Sequence, residues 1–235
     1  MRHAPSIVTV GVTVLESPLQ DLLDRNRHWS AELRARDPHF FEQLAKQQTP
    51  KYLWIGCSDS RVPSTQIVDL QPGEIFVHRN VSNVVSHTDL NCLSTVQFAV
   101  DALKVEHIMV VGHYGCGGVQ AVLDHLRIGL VDNWLRHVGE VAEKYAATLA
   151  AIPAMPLRNA RLCELNAIEQ AVNLCHTTMV MDAWERGQKL SVHAWCYSLD
   201  QGHINDLGMH ISAPTDVHPA YDRALQHLLA SPVPA

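Results

Sequence analysis

The sequence lacks several features that mark particular classes of protein. It has no basic stripe and no polybasic cluster, and 18 Lys and Arg against 24 Asp and Glu give a formal charge of −6. These absences argue against a nucleic-acid-binding protein and against attachment to an anionic membrane. The apolar run 7–15 is too short to cross a membrane. There is also no internal repeat, no low-complexity segment and no Cys-x-x-Cys pair, so a thiol redox role is disfavoured.

Signals for export are equally weak. Only Arg2 precedes the apolar run as a basic residue and no clean small-residue cleavage site follows it, so we expect no signal peptide and assign 1–16 as a flexible N-terminal segment. Six cysteines in a chain of 235 residues do not indicate a disulfide framework. We therefore expect a reducing compartment and cytoplasmic localisation. Four cysteines lie in apolar patterns typical of buried small side chains: Cys92, Cys163, Cys175 and Cys196.

Apolar periodicity predicts short strands alternating with amphipathic helices. With 47% hydrophobic and 18% charged residues, the composition is that of a protein with a real core. The alternation is typical of a parallel sheet with helices on both faces. We predict an α/β fold with a mainly parallel central β-sheet flanked by helices, and an N-terminal helical arm, in one domain over 17–235. The predicted strands are 52–56, 74–78, 107–112 and 190–197, and the predicted helices after the arm are 91–103, 117–126, one long helix that ends at Gly187, and 220–229.

Two of these strands end at residues that can bind a metal. One continues into CSDSR at 57–61, and the other into HYGCGG at 113–118. Because the carboxyl ends of parallel strands meet at one edge of a sheet, we expect Cys57, His113 and Cys116 to converge. Two thiolates and one imidazole suit tetrahedral zinc. Three protein ligands leave a fourth position open, which is typical of a catalytic site.

Asp59 and Arg61 lie directly beside the first predicted ligand. Asp59 could occupy the fourth coordination position, or a bidentate pair with Arg61 could hold it off so that it accepts a hydrogen bond from zinc-bound water. A change between the two arrangements would turn a zinc enzyme off and on. The plain alternative is a surface ion pair of little consequence.

The motifs CSDSRVP at 57–63, HRN at 78–80 and HYGCGG at 113–118 together resemble the β-class carbonic anhydrases, most closely the bacterial members. The resemblance covers most of the chain, from about Trp29 to Tyr197. It implies Zn²⁺ bound by Cys57, His113 and Cys116, with Asp59 and Arg61 as the catalytic and regulatory pair. It also implies reversible hydration of carbon dioxide to bicarbonate and a proton through zinc-bound hydroxide, in a homodimer or homotetramer.

The resemblance further implies residues that contact the substrate. It places Gln48, Phe76, Val81 and the backbone N–H of Gly117 in the cleft that binds carbon dioxide. One position departs from the family, since Phe98 stands where many members have a tyrosine, and its hydroxyl is therefore lost. His78 or His87 could carry the released proton, because imidazole titrates in the right range.

A subset of the bacterial enzymes, often called type II, has a second, non-catalytic site for bicarbonate. Trp54, Arg79 and Tyr197 match the three residues of that site, and a guanidinium beside a phenol suits a small planar anion. The alternative is that Trp54 and Tyr197 are plain core aromatics. The match of all three residues favours regulation by bicarbonate.

Two other functions stay open at this point. The same fold and metal could act on carbon disulfide or carbonyl sulfide, or the chain could be a non-catalytic zinc module in which Asp59 permanently completes the shell. Arg61 argues against the module, because a structural site has no need to hold Asp59 away. Two thiolates cancel the charge of the ion, so the pKa of zinc-bound water is predicted above the roughly 7 of three-histidine sites, with activity that rises on the alkaline side.

Overall fold

The structure, a computed structural model, describes residues 17–46 and 48–233. The predicted flexible segment 1–16 lies outside the described residues. The chain divides into two compact units, one within 1–47 and one within 48–235. The prediction of a single domain over 17–235 stays a prediction. Among the described helices, none is long and apolar enough to cross a membrane.

The first unit contains the two helices of the predicted arm, α1 (Gln20–Arg36) and α2 (Phe40–Lys46). Asp37 is extended between them, with φ −140°, because a residue that precedes proline is disfavoured in the helical region. The ring of Trp29 meets that of Phe41 edge-on, with the ring centroids 5.8 Å apart. These helices confirm the N-terminal helical arm.

The second unit is built on a five-stranded sheet with the order β2-β1-β3-β4-β5. Three neighbouring pairs of strands are parallel, and only β5 runs antiparallel, against β4. The predicted mainly parallel sheet is therefore confirmed. The strands are β1 (Tyr52–Cys57), β2 (Ile75–Asn80), β3 (His107–His113), β4 (Ser191–Tyr197) and β5 (Ile204–Ile211).

Eight helices in the described part of the second unit connect and cover these strands. The longest one, α8, packs on β3 and β4, and the last one, α10, packs on β5. A turn of 3-10 helix follows β2 at Val81–Asn83, and a turn of π-helix at Phe98–Ala102 continues α4. The helices are α3 (Ser64–Ile67), α4 (Leu90–Gln97), α5 (Gly117–Leu123), α6 (Val131–Lys144), α7 (Ala146–Ala150), α8 (Met155–Cys175), α9 (Thr178–Glu185) and α10 (Val217–Ala230).

The prediction of one long helix that ends at Gly187 was wrong. The chain leaves α8 at Cys175 and begins α9 at Thr178, because Thr177 is extended with φ −74° and ψ 146°. Its hydroxyl donates to the carbonyl of Leu174 at 2.7 Å, a local bond of the kind that competes with the helix. Apolar spacing continues across the break, so periodicity alone did not show it.

Four elements of the second unit were not predicted from the sequence: α3, α6, α7 and β5. In β5 the buried side chains alternate along the strand, at Leu207, Met209 and Ile211, which is the pattern of a strand with one covered face. Gly208 lies between them with φ 76°, a left-handed conformation that glycine adopts without strain.

Candidate metal centre

The three predicted zinc ligands meet where β1 and β3 end. Cys57 is the last residue of β1, His113 is the last residue of β3, and these strands are parallel neighbours. Cys116 immediately precedes α5. One donor atom from each of the three side chains lies within 4.8 Å of the other two, and all three residues are buried. The two sulfurs are 3.9 Å apart, close to the roughly 3.8 Å that tetrahedral geometry sets for two Zn–S bonds of about 2.3 Å. The donor set therefore fits zinc.

His113 is oriented as a metal ligand. Its Nδ1 lies 3.1 Å from the carbonyl oxygen of Tyr114, so Nδ1 carries the proton and donates to that oxygen. Its Nε2 is buried without a hydrogen-bond partner in the described structure. An imidazole nitrogen with a free lone pair, held by a hydrogen bond from the other nitrogen, is the usual form of a zinc-binding histidine.

The surroundings of Cys116 favour its thiolate. The hydrogen bond from the Cys57 thiol lowers the pKa of the Cys116 thiol and outweighs the effect of burial, and the hydrogen bond from Ser82 lowers that pKa further. Burial and the Cys116 thiolate raise the pKa of Cys57 in turn, with the hydrogen bond to Cys116 as the largest cause. A bound divalent cation would favour the thiolate form of both cysteines, because a cysteine binds a metal only after it loses its proton.

Asp59 lies beside these donors and is held by Arg61. The guanidinium donates from Nε to Asp59 Oδ1 at 2.9 Å and from a terminal nitrogen to Oδ2 at 2.7 Å, and the backbone N–H of Arg61 donates to Oδ1 at 2.9 Å. These hydrogen bonds hold the pKa of the Asp59 carboxyl well below its usual range. Asp59 Oδ2 is 3.7 Å from His113 Nε2. The Asp59–Arg61 pair therefore lies directly beside the metal donors. The two arrangements considered for Asp59 around a bound zinc ion, on the metal or held off it by Arg61, stay predictions.

Arg79 supports the loop that carries Asp59. Its guanidinium donates from Nε to the carbonyl oxygen of Cys57 at 2.9 Å, and from a terminal nitrogen to the carbonyl oxygen of Asp59. The side chain of Arg79 thus bridges the end of β1 and the turn that follows it. A displacement of this guanidinium that breaks both hydrogen bonds would free the two carbonyls.

The comparisons with known proteins agree with this geometry. A family model described as carbonic anhydrase matches residues 52–204. A carbonic anhydrase of Emericella nidulans is 43% identical over 195 residues, which cover 83% of this chain and 86% of that protein. A carbonic anhydrase of Pseudomonas aeruginosa is 32% identical over 202 residues, which cover 80% and 87% of the two chains. The chain belongs to the carbonic anhydrase family.

Solved structures identify the class within the family. The β-carbonic anhydrase of Coccomyxa, solved with acetazolamide, superimposes with a TM-score of 0.82 at 37% identity and covers 92% of this chain and 99% of its own. A tetrameric β-carbonic anhydrase from Sordaria macrospora gives a TM-score of 0.79 at 39% identity, with coverages of 83% and 98%. The chain is thus a β-class member, and zinc is the cofactor that Cys57, His113 and Cys116 can hold.

The three residues predicted to bind bicarbonate lie on one face of the sheet. Arg79 on β2 pairs in register with Gly56 on β1, which lies two residues after Trp54. Gly56 in turn pairs with Val111 on β3, two residues before His113, and His113 pairs with Tyr197 on β4. Paired residues and alternate residues along a strand share a face. The indole of Trp54 lies across Gly56, where a Cβ would be 2.2 Å from Trp54 Nε1. That nitrogen is buried and has no hydrogen-bond partner among the described residues.

The structure does not bring all four predicted substrate residues to the metal donors of the same chain. Gly117 begins α5 next to Cys116, and Val81 follows β2 near Cys57. Phe76, however, lies four residues before Asn80 on β2, and Asn80 is the residue that pairs with Cys57. Four residues of a strand correspond to about 13 Å between Phe76 and Asn80. Gln48 lies before the first residue of β1, at the opposite end of that strand from Cys57. The roles of Gln48 and Phe76 in substrate binding stay predictions.

A second group of possible ligands, His78, Asp89 and Cys92, also lies within 4.8 Å. Asp89 caps α4 by accepting from the N–H of Asn91, and His78 Nε2 faces the amide nitrogen of Asn80 at 3.2 Å. Burial lowers the pKa of His78. Of the two histidines considered as proton shuttles, His78 is therefore buried and resists protonation, whereas His87 is exposed.

Sequence reasoning missed the contact that Ser82 makes with the metal-site sulfurs. Its backbone N–H donates to Cys57 Sγ at 3.4 Å, and its hydroxyl oxygen is 3.5 Å from Cys116 Sγ. The signal in the sequence is weak, because a serine directly after a strand usually belongs to a turn.

Proposed function

We propose that this carbonic anhydrase catalyses the reversible hydration of carbon dioxide to bicarbonate and a proton at Cys57, His113 and Cys116, with Asp59 and Arg61 as its catalytic pair. The observation that supports this most strongly is the position of Asp59: its carboxylate lies 3.7 Å from His113 Nε2 and is held there by Arg61. Zinc bound here would lower the pKa of water and so supply a nucleophile, although two thiolates weaken that effect relative to three neutral imidazoles.

In this proposal Asp59 stays ionised and accepts a hydrogen bond from the attacking water. Arg61 lowers the pKa of Asp59, so the pair is present at every pH above the ordinary carboxyl range and is lost only as pH falls through that lowered pKa. An ionised carboxylate can only accept hydrogen bonds, and it therefore orients the water proton away from the carbon. An alkaline rise in activity near neutral pH must then come from the nucleophile and not from Asp59.

Gly117 is proposed to hold a substrate oxygen through its backbone N–H. Apart from its chain neighbours and the backbone of its own helix, no heavy atom of the described structure lies within 4 Å of the position that a Cβ on Gly117 would take. The side of Gly117 on which a side chain would stand is therefore open, next to Cys116. A backbone donor fixed in this way can stabilise the charge that develops on an oxygen during attack.

The experiment is stopped-flow hydration of carbon dioxide by protein whose zinc content has been measured. The range from about pH 6.5 to about pH 9 brackets the pKa expected for zinc-bound water, which is above about 7. We expect fast turnover that increases with pH. Absence of turnover at full zinc load would contradict the proposal and favour carbon disulfide, carbonyl sulfide or a non-catalytic role. A rate already flat across the range would contradict the effect assigned to the two thiolates.

We further propose that bicarbonate binds at Trp54, Arg79 and Tyr197 and inhibits the enzyme. Trp54 Nε1 is a buried donor with no partner among the described residues, which is costly unless a ligand accepts from it. Arg79 carries the positive charge, and it also holds the carbonyls of Cys57 and Asp59. An anion that draws Arg79 toward Trp54 would release the Asp59 loop and so couple this site to the catalytic pair.

We also propose a homodimer or homotetramer in which a second copy supplies Phe76 to the cleft. The register places Phe76 far from the metal donors of its own chain, and its ring packs against that of the half-exposed Phe98 with centroids 5.8 Å apart. Phe76 belongs to β2, the edge strand of the sheet, and Phe98 to the turn of π-helix after α4. Light scattering of the purified chain tests the assembly, and a monomer at full activity would contradict it.

Cytoplasmic localisation, supported by six cysteines as free thiols, is part of the same proposal.

A further inference from the structure

One buried residue contacts both metal-site sulfurs. Ser82 is fully buried, its backbone N–H donates to Cys57 Sγ at 3.4 Å, and its Oγ lies 3.5 Å from Cys116 Sγ. A cysteine that binds a metal does so as the thiolate, which has no proton to donate. When both cysteines act as ligands, the Ser82 hydroxyl must therefore be the donor in its contact, as the N–H already is.

The backbone at Ser82 is held in a costly conformation. Ser82 and Asn83 have φ values of 64° and 47°, in the left-handed region that residues other than glycine rarely adopt. Asn80 closes the turn with two hydrogen bonds, from the N–H of Val84 to Oδ1 at 2.8 Å and from Nδ2 to the Val84 carbonyl at 2.7 Å. Strained backbone of this kind persists only where the surrounding structure enforces it.

Two further elements fix the same turn from outside. Asn166, on α8, donates its side-chain N–H to the carbonyl of Ser82 at 2.9 Å. Trp134, on α6, donates from Nε1 to the carbonyl of Val81 at 2.8 Å. The position of Ser82 is thus determined by β2, α6 and α8 together, so its two donors stay aimed at the sulfurs.

Gly118 leaves the space that the Ser82 hydroxyl occupies. A Cβ on Gly118 would lie 2.2 Å from Ser82 Oγ, and also 3.1 Å from Leu135 and 3.2 Å from Val81. Because a real side chain cannot approach that closely, any larger residue at 118 would displace the hydroxyl from Cys116 Sγ. The second glycine of the HYGCGG motif therefore has a specific steric role in this chain.

We propose that Ser82 is a positioning residue that tunes the zinc centre by hydrogen-bonding both thiolates. A hydrogen bond to a thiolate withdraws electron density from the sulfur, so the sulfur donates less charge to the metal, and the metal remains a stronger Lewis acid. Ser82 would thereby offset part of the charge cancellation that two thiolates impose. This inference rests on the zinc site of the proposed function, but it concerns the electronic state of the sulfurs and not turnover.

The test uses the full chain with cobalt(II) in place of zinc, whose sulfur-to-metal charge-transfer absorption reports the donor strength of the thiolates. In Ser82→Ala and Ser82→Gly the hydroxyl is lost, the sulfur of Cys116 becomes a stronger donor, and we expect the band to move to longer wavelength by the same amount in both. Alanine keeps the left-handed strain and glycine relieves it, so equal shifts assign the effect to the hydroxyl. Ser86→Ala is the matched control, because Ser86 is also buried but pairs with Thr88.

An unchanged band in both variants overturns the inference, and so does a shift in only one of them, which would indicate backbone distortion. Gly118→Ala provides an independent check: it keeps the serine but displaces its hydroxyl, so the same shift is expected. Carbon dioxide hydration is measured on the zinc-loaded forms of the same proteins. If the wild-type chain were inactive while the bands still shifted, the proposed function would be wrong and the role of Ser82 would stand.

Discussion

A buried hydrogen-bond network behind His113 gives a prediction whose size follows from the structure. The hydroxyl of Tyr114 donates to Glu164 Oε1 at 2.9 Å and accepts from the side-chain amide of Asn205 at 2.9 Å. Glu164 is buried, and its other carboxyl oxygen, Oε2, has no hydrogen-bond partner in the described part of the chain. A guanidinium nitrogen of Arg161 lies 3.4 Å from this Oε2 and forms an ion pair with it. Tyr114 also provides the carbonyl that accepts from His113 Nδ1. Its hydroxyl therefore anchors the segment that orients a zinc ligand.

Replacement of Tyr114 by phenylalanine removes both hydrogen bonds and leaves the buried Glu164 and the partly buried Asn205 without this partner. One bond to a charged group and one neutral bond together contribute about 2 to 4 kcal/mol. We expect the Tyr114→Phe variant to lose about that much free energy of unfolding in urea, at equal zinc loading. It should also release zinc to a chelator more readily than the wild type, because Tyr114 positions His113.

Two features make this test specific. Burial raises the pKa of Glu164 and the Tyr114 hydroxyl lowers it, so the pKa rises further in the variant. A raised carboxyl pKa costs stability above the unfolded-state value, near 4.5, and the cost disappears below it. The loss should therefore be larger at about pH 8 than at about pH 5.

Tyr52→Phe is the control, since the Tyr52 hydroxyl makes no hydrogen bond to any described residue. A Tyr114→Phe variant as stable as this control would refute the reasoning.

Three further substitutions test the site. Cys116→Ala removes one of three zinc donors, so we expect zinc content by atomic absorption to fall from one ion per chain to a small residual fraction; a full zinc load would contradict the assignment. Asp59→Asn keeps the shape but cannot pair with Arg61 as a carboxylate, and turnover at saturating zinc should fall at least about a hundredfold; retained turnover would remove Asp59 from the mechanism. Trp54→Phe deletes a donor that has no partner in the described chain, and because the smaller ring leaves a cavity at a fully buried position, some stability should be lost as well; in folded, zinc-loaded protein inhibition by added bicarbonate should weaken, and unchanged inhibition would argue against the second site.

Local sequence was enough to predict the metal centre. Cys57 and His113 each follow a buried strand, and Cys116 follows His113 by one turn, so their convergence needed only the rule that parallel strands end at one edge. The Asp59–Arg61 pair was predictable for the same reason, since both residues belong to one short turn. The choice between its two arrangements depends on the hydrogen bonds of the folded loop, including those from Arg79, which no spacing reports.

Other features depend on contacts that periodicity does not carry. Ser82 reaches two sulfurs only because its φ is positive and because Asn166 and Trp134, far along the chain, hold the turn. The break between α8 and α9 leaves the apolar spacing in phase, so the pattern favoured one helix. The resemblance pointed to Phe76 as a substrate residue without indicating which copy of the chain it would serve.

The central claim is that one zinc ion sits on three protein ligands while Arg61 holds Asp59 away. Anomalous diffraction at the zinc edge from crystals of the active protein tests it directly. We predict a single zinc at about 2.3 Å from the sulfurs of Cys57 and Cys116 and at about 2.0 to 2.1 Å from His113 Nε2, with Asp59 paired to Arg61. Zinc at His78, Asp89 and Cys92, or Asp59 as a fourth ligand in protein that turns over carbon dioxide at full rate, would contradict the account.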